Sequence, residues 1–319
     1  MAICWGYSLN AWNNLVNSVR KDVNERTVKV LSAGGYEGVE LQVGTGRMKP
    51  LGRPAIIGQV YGGAKEFDAY LKELGIKQII AWDYDASAPA GEENCRGRDA
   101  TDPAQHEGIV QVLVPFVEFL QTVGSKLLCV RPVMSWWKLA PVTEEKLLAA
   151  AACWNKVGAM TAKYGVKVLI DVDWFCGANS LGAIELLMKN TDPALVGLCI
   201  DAAELAMVGV DPVALYECSA DRVGLLRLEQ IFVADTLEEY KKPFAEEILD
   251  NGGERGVDRW FWEIAAPEAP GLVDYEGLVK CAKAKGYDGW IVIESKQSPD
   301  PAASALFCAW TVQNVLDKI

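Results

Sequence analysis

The chain has 319 residues, half of them hydrophobic, with 43 acidic residues against 31 basic ones and a formal net charge of −12. That balance repels a phosphate backbone and argues against nucleic acid as a partner, while no apolar run reaches the roughly 20 residues that a membrane helix needs. The first residues have no basic segment ahead of their apolar ones, so they read as a strand rather than a signal peptide, and the expected location is cytoplasmic.

Along the chain, short runs rich in Val, Ile and Leu alternate with longer segments of helical period, joined at Gly or Asp-Pro, which is the pattern of repeated βα units. Eight strands are predicted, at residues 3–8, 38–43, 77–84, 126–133, 167–174, 196–201, 223–229 and 289–294. Both alternating faces of these runs are apolar, as in a parallel sheet covered by helices. Eight such units predict closure into a (β/α)8 TIM barrel, a single domain over residues 1–319. Asp102-Pro103, Asp211-Pro212 and Asp300-Pro301 each place a capping acceptor before a residue with no N–H to leave unpaired, so each is expected to start a helix; Asp192-Pro193 is expected to end one. Long strand-to-helix loops fall at about 44–59, 86–101 and 234–259, the last with a charged helical piece at 237–249. Barrel enzymes carry their chemistry on that face. The nine cysteines are scattered, with no Cys-x-x-Cys pair, and read as small buried hydrophobes in a reducing compartment.

Alternation decides which side chains point into a barrel. Arg227 shares parity with Leu225, Glu294 with Val292, and Asp171 with both Leu169 and Asp173, while Asp201 ends the sixth apolar run. Ionised groups do not belong in a dry barrel interior, so these residues are expected in its top layer, facing one pocket. The single histidine, His106, starts a predicted helix and is expected on the surface. Neither a Gly-x-Gly-x-x-Gly nor a Walker sequence occurs, and no histidine is available to activate Ser or Cys.

Several segments, taken together and in order, carry a family resemblance: Gly35-Tyr-Glu-Gly-Val-Glu-Leu41, Val196-Gly-Leu-Cys-Ile-Asp201, Gly209-Val-Asp-Pro212, Asp221-Arg222-Val-Gly224 and Gly286-Tyr-Asp-Gly-Trp-Ile-Val-Ile-Glu294. The chain resembles the xylose-isomerase-like barrels, the group of sugar isomerases, ketose 3-epimerases and inosose dehydratases. The resemblance implies a divalent metal held at the ends of strands five to eight, at positions that fall here on Asp171, Asp201, Arg227 and Glu294. The third of these departs from the pattern, because a guanidinium has no lone pair to give a metal. Two arrangements remain open. In one, Asp171, Asp201 and Glu294 hold Mg2+ or Mn2+ and Arg227 turns to the substrate; in the other, Arg227 itself replaces the metal and pairs with those carboxylates. The resemblance also implies dimers or tetramers.

The reaction implied is proton transfer beside a carbonyl or carbinol carbon of a keto-sugar, polyol or glycoside, that is, an isomerase, epimerase or lyase. Asp171 or Glu294 is expected as the base and Arg227 as the oxyanion stabiliser. Asp173, Glu204 and Glu229 are expected to bind substrate. Trp136, Trp137, Trp174 and Trp262 fall near strand ends, where aromatic faces suit a sugar ring or an aromatic glycoside. The competing class is a non-catalytic binding protein or the inactive partner subunit of an active relative.

Overall fold

All eight predicted strands form in the computed structural model, and they close on one another. The described residues are 3–12, 21–43, 51–85, 98–245, 259–264 and 271–319. The strands are β1 (Cys4–Ser8), β2 (Gly38–Val43), β3 (Gln78–Tyr84), β4 (Leu127–Val130), β5 (Lys167–Asp171), β6 (Val196–Asp201), β7 (Val223–Leu228) and, last in the chain, β10 (Trp290–Ile293). They run parallel in the closed order β1-β10-β7-β6-β5-β4-β3-β2. This is a (β/α)8 barrel, with helices outside.

The two faces of each strand bury different partners. Outward, Trp82 of β3 packs edge-on against Phe116 and Phe119 of the helix His106–Val123, with ring centroids 5.0 and 4.9 Å away. Inward, Ile80, Ala81, Cys129, Leu169, Cys199, Leu225 and Val292 form a small cluster of their own that fills the barrel's centre. Leu169 needs space from the neighbouring strands: a Cβ on Gly197 or on Gly224 would stand 2.8 Å from its Cδ2. Those glycines belong to two of the segments that carried the resemblance, and close packing explains them.

Helix starts follow the aspartates as predicted. Asp211 accepts from the N–H groups of Val213 and Ala214 to cap Pro212–Ser219, Asp300 accepts from Ala303 to cap Pro301–Asn314, and Asp102 caps a short 3-10 turn that leads into His106–Val123. Asp192 lies in the turn between Leu181–Lys189 and β6. Cys129, Cys153, Cys176 and Cys199 are buried, although Cys218 is exposed.

Four expectations need correction. His106 is buried, 1% exposed, with Nε2 2.9 Å from the Ala100 carbonyl, because the segment before the helix folds back over its first turn. The loop predicted at 44–59 already contains a helix, Pro54–Tyr61, with its proline at the first turn. The strand ends predicted at 133, 174 and 229 come sooner, at Val130, Asp171 and Leu228. A short antiparallel ribbon, β8 (Gln230–Ile231) with β9 (Phe261–Trp262), was not expected. Of the charged piece at 237–249, the described part holds a 3-10 turn at Glu239–Lys241; residues 246–258, like 86–97 of the second loop, lie outside the described residues. Among the described residues no helix is long and apolar enough to cross a membrane.

Candidate active site at the carboxyl ends of the strands

Two residues beyond six of the seven side chains in the barrel's centre, all but Ile80, stands a charged one: Ala81 and Asp83, Cys129 and Arg131, Leu169 and Asp171, Cys199 and Asp201, Leu225 and Arg227, Val292 and Glu294. A strand rises about 3.3 Å per residue, so the charged ring lies roughly 7 Å above the apolar one, on the same inward parity. The register of β6 and β7 sets Asp201 opposite Arg227.

Arg227, 4% exposed, is the centre of one half of the ring. Its Nε and Nη2 donate to the two oxygens of Glu40 at 2.9 and 2.8 Å, a forked pairing that fixes the guanidinium plane. Nη1 donates to Asp171 Oδ2 and lies 3.6 Å from Asp201 Oδ2, while Nη2 lies 3.8 Å from Asp83. Gln42 in turn donates to Asp83 at 2.8 Å.

Lys296, three residues past the end of β10, is the centre of the other half. Its Nζ donates to Glu204 Oε1 at 2.6 Å and Asp201 Oδ2 at 3.2 Å, with Glu229 and Glu294 at 3.6 and 3.8 Å. The ammonium also lies 4.6 Å from the ring centre of Phe261, and the main-chain N–H of Lys296 donates to Glu229 Oε1. Glu294 is held from the other side by Asn10, whose amide donates at 2.8 Å, and by Ser8. A third cation, Arg131, donates to both oxygens of Asp173 and to Asp85, with its guanidinium 4.3 Å above the Phe175 ring.

Seven carboxyl groups therefore share Arg227 and Lys296, four around each with Asp201 common to both. Burial resists so many negative charges and raises the carboxyl pKa values, only partly offset by the cations. Asp171 and Asp83 are both pushed up to about 7 by burial against the pull of Arg227, and Glu204 to about 7 against that of Lys296. Glu40 is raised for the same reason, and Glu229 is held well above the usual carboxylate range. Burial also opposes charge on Arg227 and Lys296, but the facing carboxylates outweigh it and hold both firmly protonated.

These groups surround a cavity of ≈ 50 Å³ lined by Gln42, Asp83, Asp85, Arg131, Asp171, Asp173, Asp201, Glu204, Arg227 and Lys296. Of the residues expected from the sequence, Asp171, Asp173, Asp201, Glu204 and Arg227 meet there. Glu294 and Glu229 lie beneath Lys296 and do not line it. None of the four tryptophans lines it either. Trp174 is fully buried against Phe175 and Trp260 and donates to Asp235; Trp262 packs on Arg259 and Phe232; Trp137 meets Phe244. Trp136 borders a separate cavity of ≈ 420 Å³ with Tyr240 and Lys241.

Lys296, Arg131, Glu40, Asp83 and Asp85 were not anticipated. The parity rule that found Arg227 also covers Arg131, which follows Cys129 by two residues, and Asp83, which follows Ala81; Lys296 lies past the end of its strand and is outside that rule.

The donor set does not fit a divalent metal. Of the four positions implied by resemblance, one is a guanidinium, and the carboxylates at the other three converge on nitrogen cations that have no lone pair to offer. Among the described residues no three His, Cys, Asp or Glu side chains are arranged to hold a metal ion.

Comparison with known proteins agrees with this architecture. An inosose dehydratase of Clostridium beijerinckii is 30% identical over 156 residues, 49% of this chain and 48% of that protein. The chain thus spans about half the length of the curated relatives it matches first. The solved structure of the probable 3-DHS dehydratase AsbF, involved in petrobactin synthesis in Bacillus anthracis, has a TM-score of 0.72 at 12% identity, over 98% of this chain and 100% of that one. The IOLI protein, solved with a binding zinc atom, has a TM-score of 0.70 at 12% identity over 99% of both chains. At such identities a structural likeness speaks for the fold alone. The sequence profile described as xylose isomerase-like TIM barrel matches residues 28–308, and the chain belongs to that family.

Proposed function

We propose that this protein is an enzyme of the sugar isomerase, epimerase or dehydratase type, acting on a keto-sugar or keto-polyol by removing a proton beside the carbonyl group. The observation that carries the reading is Asp171: it lines the cavity, its pKa is pushed up to about 7, and it touches the fixed guanidinium of Arg227. A base with a pKa near the working pH both accepts and returns protons efficiently. Arg227 and Lys296 supply donors for the oxygen on which negative charge develops. Glu204, with a pKa of about 7, lines the same cavity and is the acid that would protonate a departing hydroxyl as water. The dehydratase name of the relative with 30% identity supports a polyol-derived ketone as the substrate class.

Glu294, the other base expected from the sequence, serves in this reading as a counter-charge to Lys296. The metal-free arrangement is favoured over Mg2+ or Mn2+ by the donor set. The tryptophans lend no support to an aromatic glycoside, since none borders the cavity. The functional unit remains one barrel over residues 1–319, with a small molecule as partner.

One observation favours the second reading, a binding protein or inactive partner subunit. Ligand pockets span about 300–1,000 Å³, whereas this cavity is ≈ 50 Å³ and its cations are paired internally. Solvent exchange separates the two. Incubation of keto-sugars and inososes in D2O, followed by proton NMR, should show deuterium entering beside the carbonyl, and Asp171→Asn should slow it by about 10²-fold or more. If the unsubstituted protein exchanges no proton in any of these ketones yet binds one of them, the binding-protein reading replaces the enzyme.

A further inference from the structure

Asp171, Asp201 and Glu294, the three carboxylates at metal-ligand positions, each lie beside a cation that the chain itself provides. Asp171 accepts from Nη1 of Arg227, and Glu294 Oε2 lies 3.8 Å from Nζ of Lys296. One oxygen, Oδ2 of Asp201, serves both, 3.6 Å from Nη1 and 3.2 Å from Nζ. The fourth position of the set is Arg227. We propose that Arg227 and Lys296 form a built-in dication that takes the place of the divalent metal and makes the site refractory to metal ions.

Charge, position and anchoring agree. Two side chains of charge +1 supply the +2 of a divalent ion, and both are held protonated by the carboxylates they face. A hard ion bound to the same oxygens would sit about 2.0–2.6 Å from them, in the space the N–H donors now occupy. To enter, it would have to expel both cations. Neither is free to leave: Arg227 is forked onto Glu40, and Lys296 holds Glu204 while its own main-chain N–H is tied to Glu229. Expulsion would strand two cations within a buried layer, which is strongly unfavourable.

The chemical meaning of the dication rests on the acid-base function proposed above: a developing oxyanion meets hydrogen-bond donors in fixed positions. Its test does not, because metal uptake is measured with no substrate present. The full chain, stripped with EDTA, is dialysed against Mn2+ or Zn2+ and assayed for bound metal, with Mn2+ electron paramagnetic resonance and the melting temperature as further readouts. The expected result is no stoichiometric uptake, a spectrum of free aqueous Mn2+ and an unchanged melting temperature. Arg227→His combined with Lys296→Ala should instead take up one equivalent and melt several degrees higher in Mn2+, since a ligand that binds only the folded state stabilises it. The milder Lys296→Met serves if the double variant does not fold, and Mn2+ should raise its melting temperature more than Na+ at equal ionic strength. The proposal is overturned if the unsubstituted chain takes up one equivalent and loses it on Asp201→Asn, or if the folded variants respond to Mn2+ no more than the parent does.

Discussion

The two inward layers of the barrel are built on the same strands, two residues apart, yet one is apolar and the other holds nearly all its charge. Leu169, Cys199, Leu225 and Val292 form a dry floor; Asp171, Asp201, Arg227 and Glu294 stand directly above it. The floor is what makes the upper layer chemically unusual. Without water beneath them, carboxyl groups cannot be solvated from below, and only cations or protons can neutralise them. Arg227 and Lys296 do part of this, and protons on Asp83, Asp171 and Glu204 near neutrality do more.

Removing the charge hub should break the upper layer most severely. Arg227→Met leaves Glu40 and Asp171 buried without their partner, and breaking a buried pair in this way costs about 3–5 kcal/mol. Urea unfolding should show that loss at pH 7.5 and a smaller one at pH 5.5, where the stranded carboxyls take up protons; equal losses at both would mean that packing rather than charge is at stake. In the floor, Leu169→Ala opens a cavity between Gly197 and Gly224 and should cost about 2–5 kcal/mol. That loss should be the same at both pH values, because no titrating group is removed, and a marked pH dependence would show that the two layers are not separable.

The upper layer also predicts how the unsubstituted protein responds to pH. Asp83, Asp171 and Glu204 have folded-state pKa values of about 7, above the roughly 4 of an unfolded chain. Between these values the folded state holds protons that the unfolded state has released. The stabilisation is therefore complete below about pH 4 and is lost as pH rises through 7. The melting temperature should fall between pH 5.5 and pH 8; a flat or rising profile would contradict the raised values. The smallest effect is expected at Trp136, which borders the other cavity. Trp136→Ala should leave the deuterium-exchange rate within about two-fold, as substitutions away from the reacting groups usually do, and a larger drop would extend the active site to that cavity.

The barrel itself was legible in the chain because its signal is repeated: eight apolar runs and aspartates before prolines that cap helices where expected. The site was legible where residues obey strand parity, as at Asp171, Asp201 and Arg227. It failed at Lys296, which lies past the strand and reaches back over it, a path that alternation does not describe. The tryptophans misled for a related reason. Nearness to a strand end does not say on which face a ring lies, and Trp174 spends its N–H on Asp235 rather than on a ligand. His106 shows the same limit, since a helix start can be covered by the segment that precedes it.

The short β8–β9 ribbon gives the lysine a mechanical role as well. Gln297 accepts from the N–H groups of Trp260 and Phe261 at 2.6 and 3.2 Å, Phe261 lies under the ammonium, and Glu229 holds the Lys296 main chain just before β8 begins. The ribbon and the ammonium are thus tied into one unit. The place of the ammonium above the apolar floor is therefore set from outside the barrel by the ribbon as well as from within by Asp201 and Glu204.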